Sequence, residues 1–576
     1  MQAATQLHAP HSAHDHIHPP PEGFIRKYVF SIDHKIIAIQ YFVTGMLFLL
    51  IAGSFAELVR LQLTDPNGAI MSHDAYNVMY TMHGTAMVWL VLIPLVTGAA
   101  GNFIMPLQIG ARDVAFPWLN MVSFWILPVA ALVLFSTFLF GGAHAGWTEY
   151  PPVSLEDGTA GALWCAAIFL VGISSTMTGL NFMVTIIKMR APGMTWTRMP
   201  LFVWATFGTA LMNMFATVAL SAALAALFLE HVFNVPFFDA SRGGSAVLFE
   251  HMFWFYSHPA VYIFILPAFG VISEVLPTFS RKPIFGYKMI AFSTMAISIL
   301  GFAVWAHHMF PSGLAPWLQL PFMILTYAIG VPTGIKIFSW VATLWQGRIQ
   351  LTTSMLYAMG FLVTFTFGGI TGIFLACVPA DLHMHGTYFV VAHFHYVVAG
   401  GAVMGFLAAI PYWYPKATGR MLDERLGKLG FWLFFTGLNL TFLPMHWLGL
   451  EGMPRRYASY GAFAAANPDA VFWNRFETWS SFLMVASVGV LVFNLIWSYR
   501  NGKVSGLNPW GARTLEWTIS SPPPYYNFKN IPLVFDRPYD FDKPLPYRNL
   551  DHEQDPYPSP NMALFEPERV AAAAGA

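Results

Sequence analysis

The sequence predicts an all-α polytopic membrane protein of twelve transmembrane helices, and three observations carry that reading. Of its 576 residues, 56% are hydrophobic and 10% charged, with a mean hydropathy of +0.54, more apolar surface than a soluble domain can hide from water. Apolar runs long enough to cross a bilayer, about 20 residues each, recur almost from end to end. Lysine and arginine concentrate in alternate loops, as the positive-inside rule requires of a chain that crosses repeatedly.

In order, the first run, 36–58, follows a polar arm (HAPHSAHDHIHPPP) without the short apolar core and cleavage site of a secretory signal, so residues 1–27 read as a disordered His- and Pro-rich tail. Runs 78–105 (with YTMHGTAMVW), 117–140, 161–187 and 202–230 come next. Run 250–279 contains FWFYSHPAVYIFILP, 287–310 ends on GFAVWAHHMF and 317–342 contains PTGIKIFSW. Runs 353–378, 386–413 (with TYFVVAHFHYVVAGG), 430–450 and 478–499 complete the membrane domain, 28–500. Residues 501–576 turn polar and Pro-rich and read as a tail with little core of its own. Cys165 and Cys377 lie in apolar runs without C-x-x-C spacing and read as packing residues.

With the N-terminus inside, the internal loops carry twelve cations: Arg112, Lys188, Arg190, Arg198, Arg281, Lys282, Lys288, Arg348, Lys416, Arg420, Arg425 and Lys428. The external loops carry only Arg60, Arg242, Arg455, Arg456 and Arg475. Both termini are therefore expected in the cytoplasm, or in the matrix if the source is an organelle. The formal net charge is zero, so overall charge points to no nucleic acid. The adjacent pair Arg455 and Arg456 stands against the inside bias and needs its own reason.

Ionisable groups within spans are costly, which makes them markers of function. Six histidines qualify: His83, His258, His307, His308, His393 and His395. One alone is ordinarily a core residue bonded to a neighbour. In the predicted topology, however, all six lie about 5 to 15 Å from the outer ends of their helices, and six unrelated core histidines do not share a layer. His393 and His395 stand about 200° apart on a helix, so they serve two centres. Two porphyrin irons suit them, with His83 as the second axial ligand of one. His307 and His308, joined by His258, make a three-imidazole site with an open position, suited to copper or zinc. No H-E-x-x-H motif or general-base carboxylate accompanies it, whereas copper facing an open haem makes a redox pocket for a small gas.

These residues, with SIDHKIIAIQY, YNVMYTMHGT, GNFIMPLQIGARDVAFP, HPAVYI, VWAHHMF, PTGIKIFSW, VVAHFHYV, GMPRRY and EWTISSPPP, closely resemble subunit I of the haem-copper oxidases, particularly its cytochrome c oxidase branch, over residues 28 to 525. The resemblance implies the catalytic subunit of a terminal respiratory oxidase that reduces O2 to water and pumps protons. His83 and His395 are then expected to hold a low-spin haem, haem a, and His393 a high-spin haem, haem a3. His258, His307 and His308 are expected to hold copper B. Tyr262, one turn beyond His258, corresponds to the family tyrosine that is cross-linked to that histidine and supplies an electron and a proton. Arg455 and Arg456 would pair with haem propionates, with Asp381 near those of the high-spin haem and Arg60 near the low-spin haem.

Protons must reach this outer site from inside. Thr333 and Lys336 share a helix face, and a buried lysine shifts its pKa readily. Ser273 lies about 16 Å along the helix from Tyr262. With Tyr262 these residues resemble the family's lysine pathway. Asp113, Asn102, Asn120, Asn181, Ser174 and Ser175 resemble its aspartate pathway, although Asp113 alone is more often a solvated loop charge or an ion pair with Arg112.

Two positions depart from the family. The glutamate often found two residues after the first copper histidine is Ala260 here, and Tyr256 with Ser257 takes its place in one branch. The outer magnesium site uses a His-Asp pair, but His385 is followed by Gly386. Expected partners are a subunit II with a dinuclear copper centre, subunit III and further oxidase subunits, cytochrome c, O2, membrane lipid and a respiratory supercomplex. The expected location is a bacterial plasma membrane, with the mitochondrial inner membrane as the alternative. The rival readings are a quinol-oxidising relative, a nitric oxide reductase and a twelve-helix transporter.

Overall fold

The computed structural model describes residues 20–548. The His-rich arm up to residue 19 and the end of the tail, 549–576, lie outside the described residues. Among the described residues eleven helices are long and apolar enough to cross a membrane: α1 His34–Gln62, α2 His73–Gln108, α3 Pro117–Phe140, α4 Val153–Lys188, α5 Leu201–Phe233, α6 Ala246–Ser280, α8 Pro316–Leu344, α9 Thr353–Ala376, α10 Tyr388–Thr418, α11 Glu424–Leu450 and α12 Asp469–Asn501. One further helix, α7 Tyr287–Ala303, is apolar but shorter. The chain is an integral membrane protein.

Local chemistry sets many of the starts. Asp33, Ser72, Ser245, Thr352, Thr387 and Asp423 each accept a bond from a backbone N–H in the first turn of α1, α2, α6, α9, α10 and α11, satisfying donors that a helix start leaves open. The most apolar stretches of α6 and α2 are 89% and 83% buried, against 22% for α8 and α12. The first two are therefore central and the last two peripheral. α2 widens into a π-helix from Met87 to Gly101 around Pro94, which removes one backbone donor.

The predicted run 287–310 ends earlier than expected. The helix stops at Ala303, Val304 leaves helical geometry at φ −118° and ψ 1°, and His307 and His308 sit on a separate 3₁₀ turn, Trp305–Met309. On a continuous α-helix adjacent side chains diverge by about 100°; the break lets both imidazoles turn toward α6.

Residues 503–548 run across the end of the bundle opposite the histidines. Asn527 bonds His34 Nε2 (2.8 Å), Lys35 Nζ (3.0 Å) and Ala111 O (2.9 Å). Glu516 Oε1 accepts from Gln108 Nε2 and Trp413 Nε1, both at 3.1 Å. Tyr539 joins Leu201 N to Glu274 Oε1 of α6, at 2.6 and 2.5 Å. A two-residue antiparallel ladder, Leu533–Val534 with Tyr547–Arg548, closes the segment.

Candidate metal centres

His258 comes from α6, and His307 and His308 from the turn after α7. His258 Nδ1 and His307 Nε2 each lie 3.1 Å from His308 Nε2, and ligand atoms of all three residues fall within 4.8 Å of one another. Nitrogens bound at about 2.0–2.1 Å to one tetrahedral ion stand about 3.3 Å apart, so the trio fits a single metal with one position left open. His307 Nδ1 is tied to Thr326 Oγ1 at 3.0 Å. His308 lies flat on Trp254, centroids 3.6 Å and planes 11° apart. His258 Nε2, by contrast, is buried without a hydrogen-bond partner, and the Tyr262 ring packs edge-on to the His258 ring, centroids 4.9 Å apart. Gly301 makes room for that tyrosine: a Cβ there would stand 3.0 Å from its ring.

The other three histidines share one device, an Nδ1 bonded to a backbone carbonyl that leaves Nε2 as the ligand atom. His83 Nδ1 donates to Ala52 O at 2.9 Å and His395 Nδ1 to Val391 O at 2.8 Å. Their rings are parallel within 8°, centroids 6.5 Å apart, a spacing that admits one metal between two axial imidazoles. His393 Nδ1 is held 3.0 Å from Gly368 O and 3.1 Å from Thr371 Oγ1 of α9. His395 instead stacks on Phe442 of α11 at 4.2 Å. The two histidines thus face different helices, as their spacing predicts.

Arg455 and Arg456 lie in the loop after α11. Burial and the neighbouring Arg456 push the Arg455 guanidinium down to about 10, and neither arginine forms an ion pair with a carboxylate among the described residues. Two adjacent cations without a counter-ion suit an anionic ligand group. Asp381 Oδ2 accepts from His385 Nδ1 at 3.0 Å, and Gly386 O accepts from Arg455 N at 3.0 Å, so His385 has one acidic neighbour. Arg60 is paired with Glu477 Oε2 at 3.1 Å and donates to Asn474 O at 2.8 Å. Glu477 was not among the predicted residues; it sits one position before the run predicted to start at 478.

The residues expected on the two proton routes make mainly local hydrogen bonds. Lys336 Nζ donates to Ile290 O at 3.0 Å and to Thr294 Oγ1, Thr333 Oγ1 donates to Ile329 O at 3.1 Å, and Ser273 Oγ accepts from Trp340 Nε1 at 3.0 Å. Ser273, Lys336 and Tyr262 are not directly bonded to one another. On the other route burial, reinforced by the Asp33 charge, pushes the Asp113 carboxyl up to about 8. Asn120 Nδ2 donates to Asn102 Oδ1 at 2.7 Å, and Asn181 braces Phe116 N and O at 2.9 and 3.1 Å. Ser174 Oγ donates to Ser123 O at 2.6 Å. Beyond it a small cavity of about 20 Å³ is lined by Tyr41, Trp89, Thr97, Ser174, Ser175, Thr178 and Asn213 among others. Tyr256 stacks on Trp89 at 5.4 Å, and Tyr256 Oη and Ser257 Oγ are buried without partners. Tyr41, Ser123, Thr178 and Asn213 escaped the sequence reading because isolated hydroxyls and amides within spans are too common to single out.

A family model described as cytochrome c and quinol oxidase polypeptide I matches residues 36–504. A protein named cytochrome c oxidase subunit 1 from Thermostichus vulcanus is 47% identical over 555 residues, covering 96% of this chain and 99% of its own. Proteins of the same name from Synechocystis sp. (49%, covering 89% and 92%) and Bacillus subtilis (47%, covering 88% and 81%) are similarly close. A solved heme-copper terminal oxidase dimer aligns with a TM-score of 0.65 at 17% identity, covering 92% of this chain and 89% of that one, a likeness of fold.

Proposed function

The chain belongs to the cytochrome c and quinol oxidase polypeptide I family, and from that premise we propose that it is the catalytic subunit of a proton-pumping cytochrome c oxidase. One observation carries the reading: three imidazoles converge to fit a single metal, with the Tyr262 ring packed edge-on to the ring of His258. His83 and His395 hold the low-spin haem, His393 the high-spin haem, and His258, His307 and His308 the copper. When bound, these groups supply the electron transfer and the reduction of O2 to water. We assign haem a and haem a3 by family likeness.

The protein's own part is to hold these groups and to move protons. Thr326, Trp254, Gly368 and Thr371 fix ring planes, so that little reorganisation remains when a metal binds. Tyr262 donates its hydroxyl proton at the site, and the open Nε2 of His258 suits a link to that ring. Lys336, free of any carboxylate partner among the described residues, can exchange a proton and pass it from Ser273 and Thr333 toward Tyr262. Asp113, held protonated at neutral pH, starts the second route through Asn102, Asn120, Asn181, Ser174 and Ser175. Tyr256 and Ser257 end it in place of the glutamate lost at Ala260. Arg455 and Arg456 receive the haem propionates, with Asp381 close to the same charge; His385, held to Asp381 Oδ2 at 3.0 Å, is the candidate magnesium ligand, with Gly386 in the place of the family's aspartate.

Both termini belong on the cytoplasmic side of a bacterial plasma membrane by the loop charges. The chain carries no motif for its own electron intake, so a subunit II with a dinuclear copper centre must pass electrons from cytochrome c, alongside subunit III and further subunits. The test compares donors for O2 uptake by the purified complex: reduced cytochrome c should sustain it. Uptake with a quinol alone would overturn the donor assignment, and a complex without haem would overturn the whole reading.

A further inference from the structure

The loop between α3 and α4 covers the histidine end of the bundle and holds an acid that the functions above leave unused. Glu149 is fully buried. Its backbone stands at φ 47°, a left-handed conformation that residues with side chains avoid, in a turn closed by Glu149 N donating to Gly146 O at 3.0 Å. Neither carboxylate oxygen meets an N–H or O–H donor among the described residues. What Glu149 does meet is the carboxyl group of Asp157. Two buried carboxylates in contact cannot both ionise, so the pair holds a proton; burial first and Asp157 second push Glu149 well above the usual carboxylate range.

Asp157 leads outward. Its two oxygens accept from His144 N at 3.3 and 3.2 Å, and Oδ1 pairs with His144 Nδ1. The His144 side chain is 30% exposed, so a continuous line of exchangeable groups runs from Glu149 to the surface. The other end of the loop faces the metal centres. The Arg456 guanidinium lies against Gly146, and its charge reaches Glu149. Trp147 packs on Gly84, next to His83, and edge-on to Trp254, the platform of His308. Three further titratable groups surround the acids: His231 from α5, its Nε2 buried without a partner, Cys165 from α4 and Tyr80 from α2.

We infer that Glu149, Asp157 and His144 form a proton-release relay, which takes protons from the arginine-lined region beside the haem sites and delivers them to the outer water. At each hand-over one O–H or N–H bond forms as another breaks. No electron moves, and the acid pair returns to a single shared proton. The inference rests on the oxidase reading.

The test uses the complete complex in sealed vesicles, driven by reduced cytochrome c, and reads protons released per O2 consumed in E149Q, D157N and the surface variant H144Q. The expected result is loss of net proton release in all three, with recovery in E149D. Infrared difference spectra should show a protonated carboxyl C=O band in the unmodified enzyme that E149Q removes. Proton release at the unmodified level in both E149Q and D157N, or an unchanged carboxyl band in E149Q, overturns the relay and leaves the oxidase reading standing. An unmodified complex with no haem bands or no O2 uptake fails the oxidase reading and takes the relay with it.

Discussion

Tyr256 and Ser257 precede His258 on α6, yet all three face different surroundings: the tyrosine lies on Trp89, and both hydroxyls are buried without a partner. An unmade bond costs about 1–3 kcal/mol, so two adjacent ones on a span mark the pair as more than packing. Replacing the pair by Phe and Ala should slow turnover about a hundredfold, at the low end of what a lost proton-transfer group costs, while the haem spectra persist; unchanged turnover and pumping would refute the role. Asp113 offers a separate check. Its carboxyl is raised to about 8, so the associated stability is fully present below the ordinary carboxylate range and is lost as pH rises through that value. The fall in melting temperature between pH 6 and 9 should therefore be smaller in D113N than in the unmodified protein. At this scale the sequence was partly legible. The rule that flags ionisable groups in spans found six histidines and Lys336, and applied evenly it would also have found His251, His446, Glu250 and Glu274. Glu149 carries no such signal, because its burial comes from a loop folded under α2, α4 and α6.

Helix existence was legible from apolar runs, but helix endings were not. The predicted run 287–310 stops at Ala303 because two adjacent histidines must reach one point, a demand made by α6 across the bundle and invisible along α7. The helices also place second partners that no spacing reveals, such as Gly368 and Thr371 of α9 behind His393. Gly372, one turn beyond Gly368, allows that approach, since a Cβ there would stand 2.9 Å from His393 Cε1. Gly372→Val should push the ring aside at about 1–3 kcal/mol of overpacking. The expected outcome is loss of the high-spin haem signal with the low-spin signal kept, read by the optical spectrum of the purified variant. Loss of both signals together, or of neither, would contradict the separate support of the two sites.

Across the whole molecule, twelve segments and a single layer of histidines were legible because the bilayer imposes both length and a penalty on buried charge. The packing of residues 503–548 was not, since that segment has no apolar periodicity and gains its order from ties such as Asn527 to His34 and Tyr539 to Glu274. The central claim is that one iron is closed between His83 and His395 while another, on His393, faces an open copper site. Carbon monoxide added to the reduced complex tests it directly, because it binds only an iron with a free position. One haem should shift its spectrum and the other should stay unchanged. A response from both haems, or from neither, would contradict the arrangement.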